Sequence, residues 1–393
     1  MNMKIYLSIL AIVLCQFSKA QSTMEAILQS VEKNNLTLAS QQQLLVARQL
    51  EYSTGITPDN PFVSADYMIG RPVSGGNQLD ILATQHLDFP SVYGKKKSLA
   101  SAQSVSAELE LEKIRKEVLL ETKLVCLELI YLRKYTIELN ERVNRADSLM
   151  VRFEEKLEQD DISALDVNKI KIQLLNLRSQ LRDTENKISI QSERLTTLNG
   201  GMELEVELTD FEEGADILDF ETLKDSITAS DAHFRSLQQN TAIYQANIEL
   251  ARAMRLPELE VGYHYQSVLG QTFNGGHLGV SIPLWQHKNR VQSAEAFNDY
   301  SSYEIESYTM RLYSQLRESY DQYINQKQTL QEYEEALSSI NSEEILDQLL
   351  KLGDIDYITY VQELEYFHQA KNNYLLLEKE AQITRAQILK YQL

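Results

Sequence analysis

The sequence contains few residues that break helices. It has 14 glycines and 6 prolines among 393 residues, and these occur in short clusters. Long intervals without either residue are typical of long helices. Cysteine is scarcer still, because only Cys15 and Cys126 occur and Cys15 falls in a segment that we expect to be removed. No internal disulfide is therefore predicted, and Cys126 is interpreted as a small apolar residue within a helix.

Positive charge is also in short supply. Lys and Arg number 38 against 57 Asp and Glu, which gives a formal net charge of −19. Binding to a phosphate backbone requires an excess of basic residues, so nucleic acid is excluded as a partner. The charge balance instead indicates an acidic surface or lumen.

Recognisable catalytic motifs are missing from the sequence. It has no glycine-rich phosphate loop, HExxH, CxxC or nucleophile-elbow pattern. The prediction is therefore that the protein is not an enzyme, with no catalytic residue, no cofactor and no metal site. A histidine cluster assembled by symmetry around a lumen is the less favoured alternative.

Residues 1–20 have the pattern of a secretory signal peptide. Lys4 precedes an apolar run from Ile5 to Cys15, and small residues Ser18 and Ala20 occupy the positions that a signal peptidase reads. The mature chain is expected to begin near Gln21. Beyond this segment, no apolar stretch approaches the roughly 20 residues that a membrane-spanning helix requires.

Two landmarks recur along the chain at one spacing. Pro90 and Pro283 are 193 residues apart, and so are Asp161 and Asp354. This recurrence predicts a tandem duplication. The predicted organisation is a first repeat over 21–200, a linking segment over 201–219 and a second repeat over 220–393.

Each repeat is predicted to contain the same elements in the same order: a helix, a β-hairpin, a long helix, a tight turn and a returning helix. Stretches without Gly or Pro predict the long helices over Lys97–Glu158 and Arg290–Leu352. The predicted hairpins cover 61–89 and 257–283, and the predicted turns cover 158–163 and 352–357.

The returning helix of the first repeat carries apolar residues at alternating steps of three and four. This spacing is typical of a coiled-coil contact. The leading and returning helical segments together hold about as many residues as the long helix, so we expect them to stack end to end along it. The apolar positions are Val167, Ile170, Leu174, Leu177, Leu181, Ile188, Leu195 and Leu198.

The four predicted strands alternate apolar and polar residues, which gives a sheet with two unlike faces. An apolar face with tyrosines and an acidic opposite face fit a lipid-facing barrel around a wet lumen. Four strands are too few to close such a barrel, so several chains are expected to contribute. The alternative is a soluble sheet covered by the helices. The predicted lumen-facing residues are Asp66, Asp80, Glu260 and His264.

Duplicated halves of this kind resemble the TolC family of outer-membrane efflux proteins. The resemblance covers essentially the whole mature chain. Its marks are LEQDDISALDVNKIKIQL (157–174), LLKLGDIDYITYVQELEYFHQAKNNYLLLEKE (349–380) and the strand exit VSIPLWQHKNRVQSAEA (280–296). Departures are Asp160, where members often carry glycine, and Thr359 and Gln362, where well-known members carry acidic residues.

The resemblance implies a mainly α fold of long coiled-coil hairpins with a small β part. It also implies a homotrimer with a twelve-stranded outer-membrane barrel that continues into a periplasmic helical tunnel. The two turns would form tips that meet a periplasmic adaptor and, through it, an inner-membrane pump. The candidate adaptor contacts are Asp161, Ile162, Ala164, Leu165, Gly353, Asp354 and Ile355. The candidate constriction residues at the tunnel entrance are Asp166, Tyr357 and Tyr360.

The predicted function is a passive conduit in the outer membrane that an inner-membrane pump supplies. The strand-exit segment favours pumps of the resistance-nodulation-division type. A type I secretion outlet and a periplasmic coiled-coil scaffold without a pore are the alternatives.

Overall fold

The structure is a computed structural model, and it describes residues 23–72, 75–159, 162–204, 206, 208–212, 216–338 and 342–393. The predicted signal peptide and Asp161 lie outside the described residues. The described chain is mainly helical with one small sheet, as predicted. The helices are α1 (Met24–Asn34), α2 (Leu36–Tyr52), α3 (Pro90–Glu158), α4 (Ala164–Leu198), α5 (Phe220–Ser230), α6 (Ala232–Ala253), α7 (Arg290–Ser338), α8 (Ser342–Leu352) and α9 (Tyr357–Ile388). The strands are β1 (Phe62–Ile69), β2 (Asn77–Leu87), β3 (Glu258–Val268) and β4 (Gln271–Ser281).

Two helix boundaries differ from the predicted ones. The first long helix begins at Pro90, where the missing N–H of proline costs nothing in the first turn. The second long helix is found as α7 and α8, on either side of residues 339–341, which are not among the described residues. Within the described residues, no helix combines the length and the apolar composition that crossing a membrane requires.

The chain divides into two compact units. The first contains the chain up to Ala39 with Ile114–Ile227 and Ser314–Leu393, and the second contains Ser40–Lys113 and Thr228–Tyr313. Each unit takes segments from both halves of the sequence. The compact units therefore cut across the predicted repeats.

The first unit is built on the predicted apolar stripe of α4. Val167, Ile170 and Leu195 are buried, and Leu177 and Leu181 pack beside buried Leu174. Burial of this stripe confirms the helical period that predicted it. The irregular segment after α4 also contributes to the core through Val206, Leu204, Leu208 and Phe211. Cys126 lies in the same core, where burial raises the pKa of its thiol to about 12.

The end of α4 meets the junction of α1 and α2, as the end-to-end arrangement predicts. Asn199 Oδ1 accepts hydrogen bonds from Ser30 Oγ at 3.0 Å and Asn34 Nδ2 at 3.1 Å. Asn35 separates the two leading helices and caps α2, because its Oδ1 accepts from the Leu38 N–H at 3.0 Å. Gly200 follows with a φ of +70°, and a Cβ at this position would collide with the Asn34 carbonyl.

The second unit contains the sheet, whose strand order is β1-β2-β3-β4 and whose pairs are all antiparallel. Both predicted hairpins are present. The pairing of β2 with β3 joins them into one sheet, with Leu82 opposite His264.

Asp231 ends α5 and caps α6 by accepting from the Phe234 N–H at 2.7 Å, much as Asn35 does in the first unit.

Candidate functional site

The polar residues predicted to face a lumen share one face of the sheet, which we name the polar sheet face. Asp66 pairs with Asp80, and Asp80 pairs with Gln266. Residues directly opposite each other, and those two positions away along a strand, point to the same side. Glu260 and His264 therefore lie on this face with the two aspartates.

Contacts along the polar sheet face connect neighbouring strands through charged groups. His264 Nε2 contacts Asp80 Oδ1 between β3 and β2. His277 Nε2 lies 3.9 Å from Glu260 Oε1 between β4 and β3. The face thus carries carboxylates and imidazoles that remain partly exposed, a lining suited to water and ions rather than to a hydrophobic core.

The opposite face of the sheet is apolar and open. Val63 is 66% exposed and Leu278 is 75% exposed, and both lie on the side away from Asp66. The tyrosines Tyr67 and Tyr263 are more than half exposed on this face. Large apolar side chains that are exposed together on one face of a sheet indicate a lipid or protein neighbour.

The second predicted tip is a helix end closed by glycine. Gly353 has a φ of +79°, its N–H donates to the Leu350 carbonyl, and the Asp354 N–H donates to the Leu349 carbonyl at 3.0 Å. This pair of bonds is the Schellman arrangement, which requires a residue that tolerates positive φ. Asp356 then starts α9 by accepting from the Thr359 N–H at 2.7 Å.

At the first predicted tip, a capping residue likewise begins the next helix. Ser163 caps α4, because its Oγ accepts from the Asp166 N–H at 3.3 Å. Ser163 and Asp356 occupy equivalent places in the two predicted repeats. Leu165 is 64% exposed and Ala164 is also exposed, so both are available to a partner.

The candidate adaptor contacts divide into two groups. Ile162 and Ile355 pack against the apolar cluster that fills the tip region, whereas Gly353 and Asp354 are exposed. Leu352 is 75% exposed and was not among the predicted contacts. Its position as the last residue of an amphipathic helix, beside the glycine, was the available signal.

Two candidate constriction residues have a different place from the predicted one. Tyr360 has no exposed surface, and Tyr357 is nearly as buried in the same apolar cluster. Their hydroxyls donate inward, from Tyr360 to Asp347 Oδ1 at 2.6 Å and from Tyr357 to Gln173 Oε1 at 2.9 Å. This placement corrects the expectation that they project into an opening, because their rings hold helices together.

Asp166 remains at the surface of the tip. Hydrogen bonding from Ser163 and the nearby ammonium of Lys169, 3.3 Å away, hold the pKa of Asp166 below its usual value. The carboxylate is therefore charged at neutral pH. Of the three candidate constriction residues, only Asp166 carries a charge at neutral pH.

An ionic cluster near the tips was not predicted. Arg145 on α3 contacts Glu343 on α8, and His368 Nε2 on α9 lies 3.7 Å from Glu343 Oε1. His368, together with Arg145 and Lys371, holds the pKa of Glu343 at about 2. The partners are more than 20 residues apart, so no local pattern in the sequence could have indicated them.

Comparison with known proteins gives a clear result for structure only. No protein-family model and no curated protein matches the sequence. A membrane protein from Pseudomonas aeruginosa superposes with a TM-score of 0.79 at 11% identity, covering 95% of this chain and 92% of that one. The outer membrane protein VceC from Vibrio cholerae gives 0.75 at 12% identity, with coverages of 94% and 95%. The Campylobacter jejuni CmeC outer membrane channel gives 0.73 at 14% identity, with coverages of 94% and 85%.

The likeness covers nearly the whole of this chain and most of each solved one. The chain therefore has the fold of these three proteins. That result confirms the fold that the resemblance to the TolC family implies.

Proposed function

We propose that the chain is one subunit of a homotrimeric outer-membrane channel that extends into the periplasm and acts as the passive outlet of a tripartite efflux system. Its energy would come from an inner-membrane pump, reached through a periplasmic adaptor. The observation that carries the proposal is the sheet, which has a charged face, an exposed apolar face and, among the described residues, unpaired edges at β1 and β4.

The two sheet faces support a position between lipid and water. Val63, Tyr263 and Leu278 would contact acyl chains and headgroups, while Asp66 and Asp80 would line an aqueous lumen. Edge strands with unpaired backbone groups recruit further strands. Three copies would supply twelve strands, and pairing of β4 with β1 of the next copy would satisfy both edges.

The alternative of a soluble periplasmic scaffold requires the sheet to be covered. Among the described residues, the strands pack chiefly on one another, and the apolar face stays open. A soluble protein with this surface would be prone to aggregate. The channel is therefore favoured over the scaffold.

The tips support an adaptor as partner. Leu165 and Leu352 are large apolar side chains exposed beside tight turns, where a helical hairpin of another protein can dock. The resistance-nodulation-division type of pump and the type I secretion pump are both compatible with this surface. Of these, the strand-exit sequence favours the former.

Reconstitution tests the channel directly. The mature protein, purified in detergent, is expected to migrate as a trimer and to give stepwise ion currents in planar lipid bilayers. A mock preparation from cells that lack the gene serves as the control for contaminating porins. A monomer that stays soluble without detergent and gives no current would rule out the proposal.

A further inference from the structure

Every histidine on the strands lies on the polar sheet face and has a carboxylate close to it. His264 contacts Asp80, and His277 is 3.9 Å from Glu260. The third, His86 near the end of β2, has its Nε2 3.4 Å from Oε2 of Glu258 at the start of β3. These pairs offer an internal comparison, because they share one chemistry and one surface.

The His86 pair differs from the other two by a third group. Asp88 follows β2 directly and brings a carboxylate to the same place. One ligand atom from each of His86, Asp88 and Glu258 lies within 4.8 Å of the other two. Among the described residues, this is the one group of three such side chains that meets so closely.

One pair of these ligand atoms has the spacing found in a first coordination shell, and the third lies close enough to complete it. Zinc binds histidine nitrogen and carboxylate oxygen at about 2.0–2.2 Å in tetrahedral sites, which places two ligand atoms about 3.3–3.6 Å apart. The distance of 3.4 Å between His86 Nε2 and Glu258 Oε2 lies within this range. All three residues are partly buried, so solvent can deliver an ion and still occupy a fourth position.

We propose that His86, Asp88 and Glu258 form a binding site for a divalent first-row transition-metal ion, with Zn²⁺ as the best match. One imidazole and two carboxylates are a borderline nitrogen and oxygen set, which favours zinc over calcium or magnesium. The site goes beyond the proposed channel activity and does not depend on it. It also departs from the sequence-based expectation of no metal site.

The backbone and a lysine prepare this site. The Asp88 N–H donates to the Tyr93 hydroxyl at 2.9 Å, which fixes the residue after the strand. Lys96 Nζ lies 2.7 Å from Asp88 Oδ2 and compensates the carboxylates when no cation is bound. Because Asp88 has two oxygens, one remains for the metal, although the ammonium repels the incoming ion.

Zinc binding is measured on the tag-free, full mature protein in detergent, stripped with a chelator and titrated with Zn²⁺ against a chromogenic competitor. The expected result is one ion per chain. His86→Gln and the near-isosteric Glu258→Gln should each weaken binding at least tenfold, a loss in the range known for altered metal sites. Lys96→Met should tighten binding, because a competing positive charge is removed.

His277→Gln is the matched control, because it removes an imidazole from the same face at a place where the described part of the chain supplies no third ligand. It should leave zinc affinity unchanged. Cu²⁺ provides a second measurement, since its electron paramagnetic resonance spectrum should show coupling to one imidazole nitrogen that His86→Gln abolishes. Helical circular dichroism checks that each variant is folded. Equal losses in His86→Gln and His277→Gln, or none in either, would overturn the proposal.

Discussion

The Tyr360 hydroxyl donates to Asp347 Oδ1 over 2.6 Å, and this bond joins α9 to α8. The other oxygen of Asp347 lies 3.5 Å from Arg145 Nη1 on α3. Three helices near the tip are thus connected through one carboxylate. Burial raises the pKa of Tyr360 to about 12, so the phenol stays a donor throughout the neutral range.

Removing this hydroxyl should loosen the tip. Tyr360→Phe keeps the buried ring and deletes the donor, so we expect a loss of about 0.5–1.5 kcal/mol in unfolding free energy. The measurement is denaturant unfolding followed by helical circular dichroism. Tyr366→Phe, at a side chain that is 71% exposed, is the control and should change nothing. Equal midpoints for both variants would show that the bond is not stabilising.

Two adjacent glycines allow backbone strain to be separated from steric clash. Gly200 and Gly201 both have positive φ, at +70° and +85°. A Cβ on Gly200 would lie 2.3 Å from the Asn34 carbonyl oxygen, whereas a Cβ on Gly201 meets nothing within 4 Å. Gly201→Ala should cost about 1–2 kcal/mol for the left-handed backbone alone. Gly200→Ala should cost clearly more in the same unfolding assay, and equal costs would contradict the observed contact.

The ionic cluster around Glu343 should make the free energy of unfolding depend on pH in the acid range. His368, with Arg145 and Lys371, lowers the pKa of Glu343 from its ordinary value of 4.5 to about 2. Because the folded pKa is the lower one, this contribution is fully present above pH 4.5 and is lost as pH falls toward 2. Glu343→Gln should therefore be less stable than the native chain at pH 6, and the difference should shrink between pH 4.5 and 2. A difference that stays constant over this range would contradict the assignment.

Charge at the tips should interrupt export without disturbing assembly. Leu165→Arg and Leu352→Arg alter exposed side chains, so the trimer is expected to form normally. Each variant should fail to restore export in a deletion strain, because a buried unpaired charge at the adaptor contact is strongly unfavourable. Leu165→Met and Leu352→Met preserve apolar character and should restore it. Full export with both arginine variants would show that Leu165 and Leu352 do not contact the adaptor.

Ion selectivity should depend on the carboxylates of the polar sheet face. Asp66→Asn removes a carboxylate from the proposed lumen and should lower the cation preference, read as the reversal potential in a KCl gradient. Ser64→Asp adds one to the same face and should raise it. The same change on the opposite face, Ser267→Asp, is the control and should leave the reversal potential unchanged. A shift of equal size with Ser267→Asp would contradict the assigned faces.

The sequence was most informative wherever a period repeats. Alternation along the strands placed Asp66, Asp80, Glu260 and His264 on one face, since the period of two leaves no other choice once the strand is known. The spacing in α4 likewise identified its buried stripe. Both signals are local, and each is repeated often enough to outweigh exceptions. One exception is Leu82, an apolar residue that pairs with His264 on the polar sheet face.

Features that depend on distant partners could not be read in this way. Tyr357 and Tyr360 were predicted to face an opening, yet their direction is decided by how α8, α9 and α3 pack. The breaks at Asn35 and Asp231 were readable, because both are strong helix-capping residues, and they were overlooked. The site at His86 requires β2 to pair with β3, and that register links residues more than 170 positions apart.

The order of the four strands has a consequence for symmetry. Because their number is even, β1 and β4 run in opposite directions. Copies related by rotation about one axis, all with the same polarity, can therefore meet edge to edge without any parallel pair. Deleting a single strand would reverse this parity and force a parallel match at every contact between copies, whereas deleting a whole hairpin would preserve it.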